Sequence, residues 1–530
     1  MPVTDFEQSL ERHFTSAKAL QAEGRLAEAA KEWVAGLRID PRNKAAYLSL
    51  ADTLLELKLF QPASVICRQA LVVVPEDQEI SHKLAAAFRA EGRLEAARDV
   101  LKSLCDANPR DSGSHFLLAG VLADMGLEAE AIGHLRQAIS HQPRFPEALN
   151  NLALLLRTAG ETQEAEVQLR KALAIRPDYA AAWNNLGNLC GELSRIGEAA
   201  RCYSKAVSID PEYGEAHTNR ALILLLQGDF EQGWREYEWR WKKPGAEVRT
   251  LPQPEWDGSS IEGKTILLHS EQGAGDTIQF IRYARLLHQQ GAKVLVHCHE
   301  SLRTLLDGMP EVAQVFSGPV NAREFDVHAP LMSLPRLFGT RIDSIPVSTP
   351  GETPYLRPPP GAVPEDLAAC AKFRVGLVWR GNPKHHNDRN RSVALELLQD
   401  LVMIEGARFF SLQLGPTPAE DQWLRSRAII DLGPELSNYA ATARCLAELD
   451  LLITVDTSVA HLAGALGRPV WTLLPACNDW RWLQDREDTP WYPSMRLFRQ
   501  NGLRNWKPVA DRVASDLRQE VKKSSHLRKG

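Results

Sequence analysis

Six prolines recur at one fixed interval through the first half of this chain: Pro41, Pro75, Pro109, Pro143, Pro177 and Pro211, each 34 residues from the next. A small residue keeps the same step at Ala29, Ala63, Ala97, Ala131, Ala165 and Ala199. A bulky position keeps it too, at Trp33, Cys67, Leu101, Leu135, Leu169, Tyr203 and Tyr237. Gly24, Gly92, Gly126, Gly160 and Gly228 mark a turn inside each unit, with Lys58 and Ser194 in the two remaining slots. A period of this length with these landmarks predicts stacked helical hairpins. The pattern stops near residue 243, so another kind of domain must follow.

The chain has 530 residues, which points to about three or four domains. A formal net charge of -5 argues against a general nucleic-acid binder. No apolar run approaches the ~20 residues that a membrane span needs. The start, MPVTDFEQSLERHF, carries acids where a secretory signal would be basic, so cytoplasm is the expected compartment. Eight cysteines without a Cys-x-x-Cys pair read as reduced, buried thiols rather than a disulfide frame or a zinc site.

The repeat half resembles the tetratricopeptide repeat, most closely in the unit holding Trp183, Leu186, Gly187, Ala199, Tyr203, Ala206 and Pro211. About seven units fit between residues 10 and 243, and such a stack offers an extended concave face. Asn151, Asn185 and Asn219 also stand 34 residues apart, each on the first helix of its unit. A column of amides complements a peptide backbone and is similar to the asparagine ladder of O-GlcNAc transferases. Hydrogen bonding to a neighbouring turn is the competing role. The last repeat ends in GWREYEWRWKKP, which puts Trp234, Tyr237, Trp239 and Trp241 on one short helix as a contact surface for the next domain.

From about residue 264 the period changes. TILLHS and KVLVHCH read as buried strands separated by a helix from Asp276 to about Gln290, and alternation continues to FDVHAPLMSLP. A proline-dense linker runs over 346–372. RVGLVWRG, RFFSLQLG, IIDLG, LLITVDT and PVWTLLP then form a second strand series, and 509–523 reads as a terminal helix. The expected domains are a repeat solenoid (1–243), a linker (244–263), two Rossmann-like α/β domains (264–345 and 373–505) and a helical tail (506–530).

Two strand–turn–helix junctions carry chemistry. In Ser270-Glu271-Gln272-Gly273-Ala274-Gly275-Asp276-Thr277 the glycines allow close approach to a ligand. Asp276 reads either as a helix N-cap or as a general base facing a cleft. In the second junction Asp456, Thr457 and Ser458 open a helix whose free N–H groups suit a diphosphate. His461, one turn further, is placed to face the same spot or to pack in the core.

TVDTSVAHLAGALGRPVWTLLP looks like the donor-site motif of ADP-heptose:lipopolysaccharide heptosyltransferases, a glycosyltransferase family of GT-B fold. EQGAGDT looks like that family's glycine loop, with Gln272, Gly273 and Gly275, and its proposed catalytic base falls on Asp276. RGNPKHHNDRNRSVALELL looks like its phosphate-binding loop, where Arg391 is best placed and Lys384 and Arg389 are alternates. The whole order resembles bacterial repeat-fused glycosyltransferases, some of which modify proteins such as flagellin.

The resemblance implies transfer of a sugar from a nucleotide-sugar substrate to a hydroxyl, on a protein recruited by the repeats, without a metal or other cofactor. No Asp-x-Asp occurs in the chain, which disfavours a metal-dependent GT-A enzyme. His385 and His386 are adjacent and would point apart in an extended loop, against a shared metal. Trp480, Trp482, Trp491 and Tyr492 read as a ligand wall or as interdomain packing, and His328 as a residue near the cleft. An inactive transferase-like half on a repeat scaffold, or a nucleotide-sugar epimerase, are the alternatives.

Overall fold

A computed structural model describes residues 3–246, 249–346, 354–384 and 387–527. His385, His386 and residues 347–353 of the proline-rich linker lie outside the described residues. The chain divides into two compact units, Met1–Leu189 and Cys190–Gly530.

The first unit is a run of helical hairpins whose period is that of the sequence. Second helices end at Ile39, Val73, Ala107, His141 and Ile175, and each cap residue donates its N–H four residues back. The residue after each cap is the recurring proline, at Pro41, Pro75, Pro109, Pro143 and Pro177, which cannot extend the helix. Asn43, Asp77 and Asp111 cap first helices, each accepting a backbone N–H three residues on. Ala29, Ala63, Ala97, Ala131 and Ala165 are fully buried where paired helices cross. The turn position takes a positive φ throughout the array, including Lys58 at 58° and Ser194 at 57° where glycine is missing.

The second unit holds the last hairpin, formed by Gly214–Leu226 and Phe230–Tyr237, followed by a tighter helical turn over Glu238–Lys242. The expected single aromatic helix is therefore corrected. Trp234 and Tyr237 stay on the helix, while Trp239 turns back and stacks on His217 with ring centroids 3.8 Å apart. Trp234 meets Phe280, Trp480 and Trp491 edge-on, at 6.1, 5.1 and 6.4 Å between centroids. These contacts join the last hairpin to the α/β part, as the aromatic pattern predicts.

Strands β1 (Thr265–His269), β2 (Lys293–His297), β3 (Val312–Phe316) and β4 (Val327–Pro330) form a parallel sheet in the order β3-β2-β1-β4. A second parallel sheet contains β5 (Phe373–Val378), β6 (Ala407–Ser411), β7 (Ile430–Asp431), β8 (Leu451–Val455), β9 (Val470–Leu474) and β10 (Met495–Arg499), in the order β10-β9-β8-β5-β6-β7. Both have the Rossmann-like pattern of parallel strands with helical crossovers. Their apolar strands are buried because helices cover the faces. Val375, Leu377, Ile453 and Val455 pack with Val509, Val513 and Leu517 of the terminal helix, which runs over Lys507–Leu527.

Two expectations need correction. The helix predicted from Asp276 to Gln290 is two, Ala274–Phe280 and Tyr283–Gln289. Between them the fully buried Arg282 donates its Nε to the Gln279 carbonyl at 2.7 Å. In addition, β10 completes the second sheet at an edge where the sequence reading placed no strand.

Candidate functional site

Chain order reverses between β1 and β4 in the first sheet, and between β5 and β8 in the second. Parallel sheets bind ligands beyond the carboxyl ends of strands at such switch points. Three of the singled-out segments lie there. The glycine loop follows β1, the Gly381–Arg391 loop follows β5, and Asp456 follows β8.

Asp276 is the third residue of the Ala274–Phe280 helix and not its N-cap. Its Oδ2 accepts the Gly273 N–H at 2.9 Å, reaching back to the helix start as an acid at this position does. Its Oδ1 accepts from the guanidinium of Arg481. Burial raises the Asp276 carboxyl above its ordinary value, more than Arg481 and the Gly273 N–H pull it down. Gln272 and Gly273 are exposed, and Gln272 donates to the Tyr237 hydroxyl at 3.0 Å. The loop is anchored from beneath by Glu271, whose buried carboxylate pairs with Arg240 at 2.8 Å and accepts the Met332 N–H at 3.1 Å.

Gly275 explains how the two junctions meet. A Cβ there would stand 3.0 Å from the His461 ring and 3.5 Å from the Ser458 Cα. The glycine loop thus packs directly on the start of the Ser458–Ala465 helix. His461 is buried, accepts or donates at Nδ1 with the Tyr492 hydroxyl at 2.9 Å, and stacks on Trp482 with centroids 5.2 Å apart. Burial first, then the nearby Arg481 and Arg282 charges, keep its imidazole neutral. Trp480, Trp482, Trp491 and Tyr492 are all buried, so their observed role is packing between the sheets.

Asp456 is half-buried at the end of β8, and its carboxyl is pushed up to about 6, first by burial and then by the charge of Asp479. Its backbone carbonyl accepts from Nη1 of Arg391 at 2.9 Å. Arg391 also bonds Asp388 at 3.2 Å and lies flat against Gly381, where a Cβ would be 2.4 Å from its Nη2. Lys384 and Arg389 are exposed on the same loop. The Ser458 hydroxyl accepts from the Tyr439 hydroxyl at 2.7 Å, and Thr457 lies 3.3 Å from Thr454 through their hydroxyls.

Arg481 is the residue that sequence reasoning missed. It is buried within DWRWL and donates to Asp276, to Gln279 at 2.5 Å and to Asp479 at 2.9 Å. Burial opposes its charge, but Asp479 and Asp276 outweigh that and hold it protonated. An arginine among tryptophans was the available signal. Two histidines were also missed, His269 and His297, which close β1 and β2; His328, expected near the cleft, lies beside them on β4. His269 and His328 are 3.3 Å apart through ring nitrogens, and Arg249 bonds His297 at 2.8 Å. Burial, His328 and Arg249 depress His269 to about 3, leaving a neutral polar wall on the first sheet.

The asparagines of the repeats are partly spent on one another. Asn185 donates to Asn150 at 2.9 Å, and Asn150 donates to Asn151 at 3.3 Å. Asn151, Asn185 and Asn219 are each half-buried. Among the described residues no helix is long and apolar enough to cross a membrane.

Comparison with known proteins agrees with the repeat half. Tetratricopeptide repeat models match residues 14–63 and 144–212. The chain is 26% identical over 481 residues to Protein FlbA of Caulobacter vibrioides, covering 84% of this chain and 73% of that protein. A tetratricopeptide repeat protein from Parabacteroides merdae superposes with a TM-score of 0.37 at 17% identity, over 44% of this chain and 91% of that one. A thermophilic one from Thermus thermophilus does so with a TM-score of 0.32 at 25% identity, over 34% of this chain and all of that one, 100%. The N-terminal half of this protein is a tetratricopeptide repeat solenoid, a protein-interaction scaffold joined to a parallel α/β part.

Proposed function

We propose that the α/β part is a glycosyltransferase of GT-B type, acting on an acceptor that the repeats recruit. The observation that carries this reading is the Arg481 link between Asp276 of the first sheet's loop and the second sheet's Asp456 region. The loop that carries the Asp276 carboxylate packs on an anion-favouring helix start, the pairing that transfer from a nucleotide diphosphate requires.

The nucleotide sugar lies on the second sheet. Its diphosphate meets the N–H groups and hydroxyls at Thr457 and Ser458, with Arg391 across the switch point, and Lys384 and Arg389 at the rim. The acceptor hydroxyl enters from the first sheet. Asp276 takes its proton as the oxygen bonds the anomeric carbon and the bond to the diphosphate breaks. The developing charge on the leaving diphosphate is stabilised by fixed donors. Gln279 fits a polar ligand, since its buried Nε2 has no hydrogen-bond partner among the described residues. Inverted stereochemistry follows from the one-step displacement. A peptide segment of the acceptor lies along the half-buried Asn151 and Asn185 of the first unit.

A second reading has its own support. Both Asp276 oxygens are engaged, one by Gly273 and one by Arg481, as a purely structural carboxylate would be. On that reading the chain is an interaction scaffold with a silent transferase-like half. Incubation with a panel of nucleotide sugars and cell extract separates the two. Asp276→Asn should lower transfer by about 100-fold or more while nucleotide affinity stays nearly unchanged. No transfer and no donor hydrolysis with any nucleotide sugar would leave only the scaffold.

A further inference from the structure

Three soft donors converge in the repeat array, far in sequence from the crevice. Cys105 lies on the Leu94–Ala107 helix, His115 on Ser112–Asp124 and His134 on Glu128–His141. One ligand atom from each lies within 4.8 Å of the others. The Nδ1 atoms of the two histidines are 2.9 Å apart, and their rings stack at 5.2 Å between centroids. Cys105 and His115 are buried, whereas His134 is half-buried and leaves one side of the cluster open.

The repeat itself supplies a control for what this position normally does. Three units later, 102 residues on, His217 bonds the Pro211 carbonyl through Nε2 at 2.9 Å and Glu236 through Nδ1 at 2.6 Å. His115 makes the same Nε2 bond, to the Pro109 carbonyl at 3.1 Å. A carbonyl can only accept, so His115 carries its proton on Nε2 and presents a lone pair at Nδ1. Where the later unit meets that nitrogen with Glu236, this unit offers a second imidazole; where the later unit has Val207, this one has the Cys105 thiol. Both departures from the repeat replace other groups by metal-ligand atoms around the same point.

We propose that Cys105, His115 and His134 bind a zinc ion, through the Cys105 sulfur and the two Nδ1 atoms, with the fourth position open to solvent beside His134. Thiolate and imidazole are the ligand types that zinc takes in tetrahedral sites. The Pro109 carbonyl acts as the outer partner that fixes the ring of a metal-bound histidine. The ions fit after a small movement: tetrahedral zinc spaces two nitrogen ligands by about 3.3 Å, so the half-buried His134 ring must swing slightly outward. Binding forms the zinc–sulfur bond, and the thiol proton leaves to solvent; no electron moves. The ion would tie helices of two successive units together.

The test uses the full chain, stripped with a chelator and titrated with zinc and with cobalt. Cys105→Val is the informative variant, since the matching position already holds Val207 in a folded unit. One zinc per chain, a thiolate-to-cobalt charge-transfer band, and release of a proton on binding are expected for the natural protein. In Cys105→Val the band disappears and zinc affinity falls on the order of 100-fold or more. Failure of the natural protein to take up zinc stoichiometrically, or the same affinity and spectrum in Cys105→Val, would overturn the assignment.

Discussion

The guanidinium of Arg481 donates to the carboxylate of Asp276, joining the loop after the first sheet's β1 to the segment that follows β9 in the second. Both side chains are largely withdrawn from water, with 8% and 19% of their surfaces exposed; Arg481 keeps Asp479 as a second partner, whereas the Asp276 charge depends on Arg481. Arg481→Met should therefore cost about 3–5 kcal/mol in urea unfolding, with Asp276 left as an uncompensated buried acid. A loss below about 1 kcal/mol would show that Asp276 finds water or another cation.

Asp456 makes the native state pH-sensitive in a definite direction. Its carboxyl titrates near 6 in the folded chain and near the ordinary value of 3.8 when unfolded. The folded protein thus binds the proton more tightly, and this residue's contribution to stability is present below that ordinary value and lost as pH rises through about 6. Asp456→Asn should raise stability above pH 6 and change it little below pH 4, as read by thermal melting across that range. Equal effects at both ends would remove ionisation as the cause.

Lys58 and Ser194 occupy the turn slot at φ near 58° and 57°, where the other units have glycine. Left-handed backbone costs a residue with a Cβ roughly 1–2 kcal/mol, and both side chains are exposed. Lys58→Gly and Ser194→Gly should each stabilise the chain by about 1 kcal/mol, less what glycine's unfolded-state freedom removes. A decrease in denaturation midpoint would mean that these side chains make contacts worth more than the strain.

Gly381 lets Arg391 lie against the backbone and reach the Asp456 carbonyl. Gly381→Ala should displace that guanidinium and weaken nucleoside-diphosphate binding by about 10-fold, close to 1.4 kcal/mol. Calorimetric titration of the variant measures it. Unaltered affinity would move the diphosphate away from Arg391.

Much of this architecture was legible because it repeats. Ala29 and its five successors, the proline interval and the turn glycines each predicted a feature that recurs at the same place in the hairpins. Strand runs such as LLITV were equally plain, since both faces of a parallel sheet are buried. What escaped depended on distant partners. Nothing in EQGAGDT says that Asp276 meets an arginine 205 positions later. The break before Tyr283 depends on where a buried arginine finds carbonyls. Cys105, His115 and His134 follow no metal-ligand spacing because three separate helices deliver them. The strand at Met495–Arg499 was hidden by alternating charge in MRLFR, which an edge strand allows.

The Arg240–Glu271 pair gives the final hairpin a mechanical role. Arg240 grips the root of the loop that carries Asp276, so displacing the Glu238–Lys242 turn would disturb that loop directly. Cutting the chain after Lys243 would leave Glu271 buried and unpaired and strip Trp234 from its aromatic socket. The α/β part expressed without that hairpin should fail as a stable protein, read as loss of a cooperative melting transition.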